Sequence, residues 1–517
     1  MEEIMIIRDM IEKSGKDYAG YPAIRWLERK EVKEIEYQDL MQEIGVLRRG
    51  LVGEGFDRKH IALIGISSLP WIECYTAIIS GTGTAITLDA GLPVEDLVDL
   101  LERSDSEALF LGKTHLPMLE PLRKACSRLK KIWIMTEDEL DIDDDAVENL
   151  TALKSHAGED DPKPDGEDIS MIIFTSGTTG KSKSVMLTQN NLAANLDSID
   201  YKTHPGEVVR LSVLPIHHSF CLMNEWMKGF QLGSIICIND SLMHLVRNIG
   251  LFKPKIILMV PLMIESIYKR LSAMKDVTPD EIHEKVFGGN LKYIFTGGAH
   301  LDDFYIDEYK KWHIQILEGY GMSECSPTIS TNSTTDHKDG SIGKLVPNLE
   351  VKFVDGEILV RGTSVMHGYY KMEEETKEIL DEDGWLHTGD LGYMDEDGFL
   401  WISGRKKNLI ILSNGENISP EELEVKLALN PLIGEVVITG EDNRLTARVF
   451  PDPDVVEAKS LSPEQVEAGI RAAIDEFNSK QPSYRQIMGL IIRKNPFIKS
   501  ATRKIKRQDA LIDEPVE

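Results

Sequence analysis

The stretch Thr175–Ser184, TSGTTGKSKS, lies between the apolar run Ile169–Phe174 and the shorter run Val185–Leu187. A segment so rich in Gly, Ser, Thr and Lys cannot pack a core, yet it interrupts segments that can. Backbone N–H groups left open by glycine, hydroxyls and two lysines are what a loop needs to wrap a polyphosphate. A polar hairpin turn is the plain alternative. The nucleoside-triphosphatase loop is a nearer rival, because GTTGKS ends like G-x-x-x-x-G-K-[ST]. That pattern needs Gly where this chain has Thr175, so the match fails at its first position. We read the stretch as a phosphate loop of another kind.

Downstream, Thr188 is placed to cap a helix whose apolar face is Leu192, Leu196 and Ile199. Further on, Leu291–Thr296 reads as a strand ending in Gly297, Gly298 and Ala299. A helix from about Asp303 to Trp312 comes next, and then a strand, Ile314–Leu317, that runs into EGYGMSE. There Gly319 and Gly321 flank Tyr320, so a flat ring can approach the backbone, and Glu324, one residue after Ser323, is a ligand suited to a hard cation. A turn with a packed tyrosine is the alternative. Both loops fall at carboxyl ends of predicted strands, where open α/β sheets bind ligands.

With 517 residues the chain exceeds what one core supports, so at least two domains are expected. The formal charge of -28 argues against a general nucleic-acid binder or a protein that adheres to anionic membrane. Five cysteines, at 74, 126, 221, 237 and 325, form no C-x-x-C pair, which reads as buried thiols of a cytoplasmic protein. MEEIMIIRDMIEKS is not a secretory signal. From Ile61 to Leu88 the only charge is Glu73, but Pro70 and the Ser, Thr and Gly content near 80–84 divide the segment into strand, helix and strand. No transmembrane segment is expected.

Residues 1 to about 165 alternate apolar runs with helical stretches such as Val94–Leu101, implying a mostly parallel, covered sheet. The acidic stretch Asp141–Asp168 reads as an exposed loop. From Glu357 the pattern changes to short strands and turns, with Asp390 between glycines in a tight turn and Arg405 and Lys407 just past a strand ending at Gly404. Ser419, Pro420 and Glu422 read as a capping box, and Asn430-Pro431 ends that helix. A helix within Pro463–Asn478 and strands near 435–439, 445–450 and 487–492 complete a small α+β domain. The expected division is 1–403 and 404–517. From Arg493 to Arg507 there are basic residues and no acidic ones; in a chain this acidic, that strip is read as meeting a polyanion.

The segments TSGTTGKSKSVMLTQ, GYGMSE, HTGD, GRKKNLI and TRKIKR, in this order, resemble the acyl-adenylate-forming enzymes, which include acyl-CoA synthetases, adenylation domains and luciferases. The resemblance covers nearly the whole chain. It implies an α/β fold, with a large N-terminal domain of mostly parallel covered sheets and a small mobile C-terminal α+β domain. It also implies a two-step reaction in which a carboxylate and Mg-ATP give an acyl-adenylate, and a thiol then displaces AMP. On this resemblance Thr175, Ser176, Gly177, Thr178, Thr179, Gly180 and Lys183 hold the β and γ phosphates, with Thr175 and Glu324 around Mg. Tyr320, between Gly319 and Gly321 and close to Ser323, lines the adenine slot with Gly297, Gly298 and Ala299; Asp390 and Arg405 bind the ribose. Lys504 neutralises charge at the α-phosphate, Lys407 is the hinge, and His218 falls where the family carries a His or an aromatic beside the acyl carboxylate, a buried structural histidine being the alternative. The chain departs from the family at Ser182 and Ser184, where a Pro and a Gly are usual, and at Arg503, where a Gly usually precedes the catalytic lysine.

Amino-acid-activating members place an Asp near this histidine, and Leu211–Asn224 contains no acidic residue, so an acid without an amino group is favoured. Met223, Trp226, Met227 and Phe230 are candidates for an acyl tunnel or for plain core. GRKKNLIILSNGENISPEE looks most like fatty-acyl members. The expectation is a ligase joining a medium- or long-chain fatty acid to CoA, with ATP and Mg. An enzyme loading a separate carrier protein, or an aryl-acid CoA ligase, is the alternative.

Overall fold

The computed structural model describes residues 5–175, 182–199, 204–274, 276–412, 417–441, 444–499 and 505–510. Contacts group these into two units. The larger is Met1–Ala299 with Asp303–Val351 and Val360–Leu386; the smaller is His300–Asp302, Lys352–Leu359 and His387–Glu517. The expected boundary at 403/404 therefore falls inside the smaller unit, at the end of the strand Leu400–Arg405.

Two sheets build the larger unit. One has eight strands, in the order Gly368–Tyr369, Lys183–Thr188, Ile169–Thr175, Thr84–Leu88, His60–Ile64, Ala108–Gly112, Lys131–Met135 and Val147–Asn149. From Ile169–Thr175 to Val147–Asn149 every pairing is parallel, and the central strands are buried along nearly their whole length, as a sheet covered on both faces requires. The other sheet has nine strands, running from Lys344–Leu345 through Thr328–Thr331, Gln315–Gly321, Tyr293–Thr296, Ile256–Met259, Val209–Ser212, Ile235–Ile238 and Pro22–Glu28 to Glu31–Glu36. Its middle is parallel and both edges are antiparallel.

The uncharged segment after residue 60 forms the expected strand, helix and strand, His60–Ile64, Leu69–Ile79 and Thr84–Leu88. Ser68 caps the helix and Pro70 occupies its first turn, where a missing N–H costs nothing. Among the described residues no helix is long and apolar enough to cross a membrane. The acidic stretch is not the exposed loop expected: Val147–Asn149 is a strand and Leu150–Ser155 a helix capped by Asn149, because Val147, Leu150 and Leu153 are buried and carry the segment into the core.

Ile169–Thr175 and Lys183–Thr188, the strands on either side of the glycine- and hydroxyl-rich stretch, pair antiparallel as a β-hairpin with Thr175 opposite Lys183 at its base. The helix Gln189–Ser198 begins after the second of these strands, with Thr188 and Asn191 forming a capping box.

Most of a four-stranded sheet, made of Leu349–Val354, Glu357–Gly362, Leu386–Met394 and Leu400–Arg405, belongs to the smaller unit. A three-stranded sheet of Ile433–Glu441, Arg444–Pro451 and Ile487–Ile492 packs against the helices Pro420–Ala428 and Pro463–Asn478 through Leu423, Leu427, Val466, Ile470 and Ile474. The capping box expected at Ser419 does not form: the Ser419 hydroxyl donates to Glu421 at 2.9 Å, and Glu422 is taken by Arg485 at 2.6 Å.

Candidate active site

The hairpin fixes its two ends. Thr175 and Lys183 are register partners at its base, while Ser176, Gly177, Thr178, Thr179 and Gly180 lie outside the described residues. Arg103 donates to the Ser182 carbonyl and sits 5.4 Å over the Phe174 ring, holding one foot of the hairpin against the helix Val94–Arg103. Ser184, where a Gly was the family's usual residue, has a partner of its own: its hydroxyl donates to the Tyr370 carbonyl at 3.1 Å.

The second motif is built by two parallel strands. Tyr293–Thr296 and Gln315–Gly321 pair with Thr296 opposite Glu318, which brings Gly297 beside Gly319. A Cβ on Gly297 would stand 2.9 Å from the Gly319 carbonyl oxygen, so the close approach of the strands needs glycine there, while Gly298 is required by its left-handed backbone, φ +84°. Gly319, Tyr320 and Gly321 do not form the loop expected. They continue the strand and pair antiparallel with Thr331, Ser330 and Thr328. The glycines serve strand contact here, since a Cβ on Gly321 would meet the Pro327 carbonyl oxygen at 2.1 Å. The reversal comes later, at the 3-10 turn Ser323–Cys325. Thr296 Oγ1, at the end of the neighbouring strand, is buried with no hydrogen-bond partner among the described residues.

Glu324 is 7% exposed. Its Oε1 accepts from the Tyr369 hydroxyl at 2.8 Å, and its backbone carbonyl accepts from Met366 N at 2.8 Å. A carboxylate held this way offers its other oxygen as the hard ligand that Mg prefers, so the donor set fits the ion that a triphosphate carries. Lys183 Nζ lies 4.9 Å over the Tyr369 ring. Sequence reasoning missed Tyr369, which sits in GYYK between two recognised motifs. A separate group, Glu54, Glu148 and His156, is close enough to chelate, but Lys131 already stands 2.6 Å from Glu148 and neutralises it.

Ser323 links this motif to the segment that carries His218, its hydroxyl 3.2 Å from that of Ser219. His218 is exposed and caps the short helix Ser219–Cys221, its Nδ1 accepting from Phe220 N at 3.2 Å. That bond selects the tautomer with the proton on Nε2. Its neighbour His217 is half-buried, and its Nε2 is 3.9 Å from Asp89 at the end of Thr84–Leu88. Burial holds the His217 imidazole below its ordinary value, and Asp89 pulls the other way. The window Leu211–Asn224 could not reveal Asp89, which comes from more than a hundred residues upstream. Met223, Trp226, Met227 and Phe230 are all fully buried and belong to the core.

In the smaller unit, Asp390 lies inside the strand Leu386–Met394, not in the tight turn expected, and pairs with Arg405. Lys407 is exposed on the 3-10 turn Lys406–Asn408, and Lys406 pairs with Glu357 at 2.9 Å. Lys504 lies outside the described residues. Around it, Lys499 pairs with Glu435 at 2.6 Å, and Phe497, Ile505 and Ala510 pack on Val437.

The AMP-binding enzyme family profile matches residues 11–370, and that of the AMP-binding enzyme C-terminal domain matches 407–513. A peroxisomal long chain acyl-CoA synthetase of Arabidopsis thaliana is 32% identical over 348 residues, 57% of this chain and 49% of its own length. A long-chain-fatty-acid–CoA ligase of Mycobacterium bovis is 30% identical over 436 residues, 75% of this chain and 70% of its own. The chain thus spans about half the length of the plant relative and more of the mycobacterial one. Among solved structures, an anthranilate CoA ligase in complex with anthranoyl-AMP superimposes with TM-score 0.83 at 20% identity, covering 98% of this chain and 96% of that one. ATP-bound MatB from Rhodopseudomonas palustris gives 0.78 at 21% identity, covering 98% of each. At these identities the two structures share the fold.

Proposed function

The chain belongs to the AMP-binding enzyme family, and from that premise we propose that it is a fatty-acid–CoA ligase acting on medium- or long-chain acids. A carboxylate oxygen of the acid attacks the α-phosphorus of ATP, the bond to the β-phosphate breaks, and pyrophosphate leaves. The thiol sulfur of CoA then attacks the acyl carbonyl carbon, gives up its proton to solvent, and AMP departs.

The observation that carries this reading is Glu324, a buried carboxylate held by Tyr369 beside the strand that leaves the hairpin. Thr175 and Glu324 would hold the magnesium of Mg-ATP, which supplies charge neutralisation for the triphosphate. Lys183 and the hairpin would bind the β and γ phosphates, and Tyr320 with Gly297, Gly298 and Ala299 the adenine. Asp390 and Arg405 would take the ribose, Lys504 the charge developing at the α-phosphate, and His218, donating from Nε2, the acyl carboxylate. Movement of the C-terminal part about Lys407, near the 403/404 boundary, would exchange Lys504 for the thiol between the two steps. Relatives named for long-chain fatty acids support the choice of acid, and five buried, unpaired cysteines support a reducing, cytoplasmic setting.

The test is pyrophosphate release across fatty acids of graded length, aryl acids and amino acids, followed by AMP release with CoA or with a holo-carrier protein. Turnover rising with chain length and requiring CoA is expected. Turnover confined to aryl or amino acids, or requiring the carrier, would overturn the fatty-acid–CoA assignment.

A further inference from the structure

One polar group around Glu324 comes from neither nucleotide motif. Tyr369 belongs to the two-residue strand Gly368–Tyr369, which pairs antiparallel with Lys183–Thr188, Tyr369 opposite Val185. The segment is fastened on three sides. Tyr370 N donates to the Ser184 carbonyl at 2.8 Å and His367 N to that of Met186 at 3.0 Å, along the strand that leaves the hairpin. Met366 N donates to the Glu324 carbonyl at 2.8 Å. Tyr369 N donates to Thr376 Oγ1 at 2.9 Å. The ring between these ties is 4% exposed, so its direction is set by packing.

That ring joins two charges. Its hydroxyl donates to Glu324 Oε1 at 2.8 Å, and its face carries the Lys183 ammonium at 4.9 Å from the centroid. A carboxylate with one oxygen bound to a rigid donor presents the other along one direction, as partners behind metal-ligating side chains do.

We propose that Tyr369 is a positioning residue that couples the hairpin to the acid that meets the metal of Mg-ATP. Its hydroxyl aims Glu324 at the cation, and its ring holds Lys183 close to the triphosphate until phosphate oxygens draw the ammonium away. Capture of the metal and engagement of the phosphates thereby become one event. This rests on the adenylate-forming reading above.

The experiment is calorimetric titration of ATP with and without Mg2+, and Mg2+ dependence of ATP–pyrophosphate exchange, for the parent, Tyr369→Phe and Tyr369→Leu. Tyr369→Phe keeps the ring and the lysine contact and removes only the hydroxyl. It is expected to raise the Mg2+ needed for half-maximal exchange by about tenfold, with metal-free ATP affinity, acid KM and thermal midpoint unchanged. Tyr369→Leu is expected to weaken metal-free ATP binding as well. If the parent binds Mg-ATP better than ATP and Tyr369→Phe does so equally well, the coupling role is wrong and the enzyme reading stands. If the parent shows no Mg2+-dependent ATP binding, both fall.

Discussion

Arg405 donates from Nε to Oδ1 of Asp390 across 2.7 Å, on adjacent antiparallel strands in which the two residues are register partners. Asp390 is 6% exposed, whereas the Arg405 side chain is about half open to solvent, so the packed aspartate holds the arginine more than the reverse. Asp390→Asn keeps the shape but removes the charge that two ribose hydroxyls would meet. The expected outcome is an ATP KM raised by about 10- to 100-fold, the size of one or two hydrogen bonds to a charged group. Acid KM stays the same. ATP–pyrophosphate exchange at varied ATP checks this, and an unchanged ATP KM would remove Asp390 from the ribose role.

Of the four lysines between Arg493 and Arg507, Lys499 has a structural partner that assigns it a different task from Lys504. Lys499 is committed to Glu435, whose other oxygen accepts from Phe497 N at 2.7 Å, so it anchors the tail to the three-stranded sheet. Lys499→Ala should therefore leave adenylate formation nearly intact and lower thermal stability. Lys504→Ala should lower adenylate formation by about 100- to 1000-fold, as loss of a preorganised charge does, while thioester formation from supplied acyl-adenylate survives. Measuring both half-reactions for each variant checks the assignment. Equal loss of both steps in Lys504→Ala would contradict it.

What could be read in the sequence was periodic or compositional. The strand, helix and strand of 60–88, the helix Pro463–Asn478 and the strand Ile487–Ile492 have apolar patterns long enough to declare themselves. What could not be read depends on distant partners. Gly319–Gly321 is a strand because Thr328–Thr331 lies alongside it, and Asp390 is in a strand because Leu400–Arg405 pairs with it. The apolar run Val185–Leu187 is too short to reveal that it folds back on Ile169–Thr175. Tyr369 and Asp89 carry no local signal at all; only the fold brings the first to Glu324 and the second to His217.

Lys407 lies in the short turn Lys406–Asn408, just after Arg405 ends its strand. If the C-terminal part rotates about this residue, its φ and ψ must change between the half-reactions. Proline fixes φ near its single allowed value. Lys407→Pro is expected to retain acyl-adenylate formation and to lose thioester formation. Quenched single-turnover measurements of each step provide the check. Two intact half-reactions would show that the hinge lies elsewhere.

Glu225 stands on the π-helical turn Leu222–Met227, with no exposed surface and no hydrogen-bond partner for either carboxylate oxygen among the described residues. Burial pushes its carboxyl from 4.5 up to about 8, with the charge of Arg210 acting in the opposite direction. Near neutral pH the folded protein therefore keeps a proton that the unfolded chain releases. Its stability falls as pH rises from about 4.5 to about 8 and levels off above that. Glu225→Gln replaces the acid with a neutral group of similar shape. The variant should match the parent near pH 4.5 and exceed it at pH 7 by about 3 kcal/mol. Glu73, also pushed up to about 8 by burial, gives both proteins a common slope, so the difference between them isolates Glu225. Thermal midpoints of parent and variant compared across this range test the point. A difference that does not grow with pH would mean that Glu225 is charged in the folded protein and paired with Arg210.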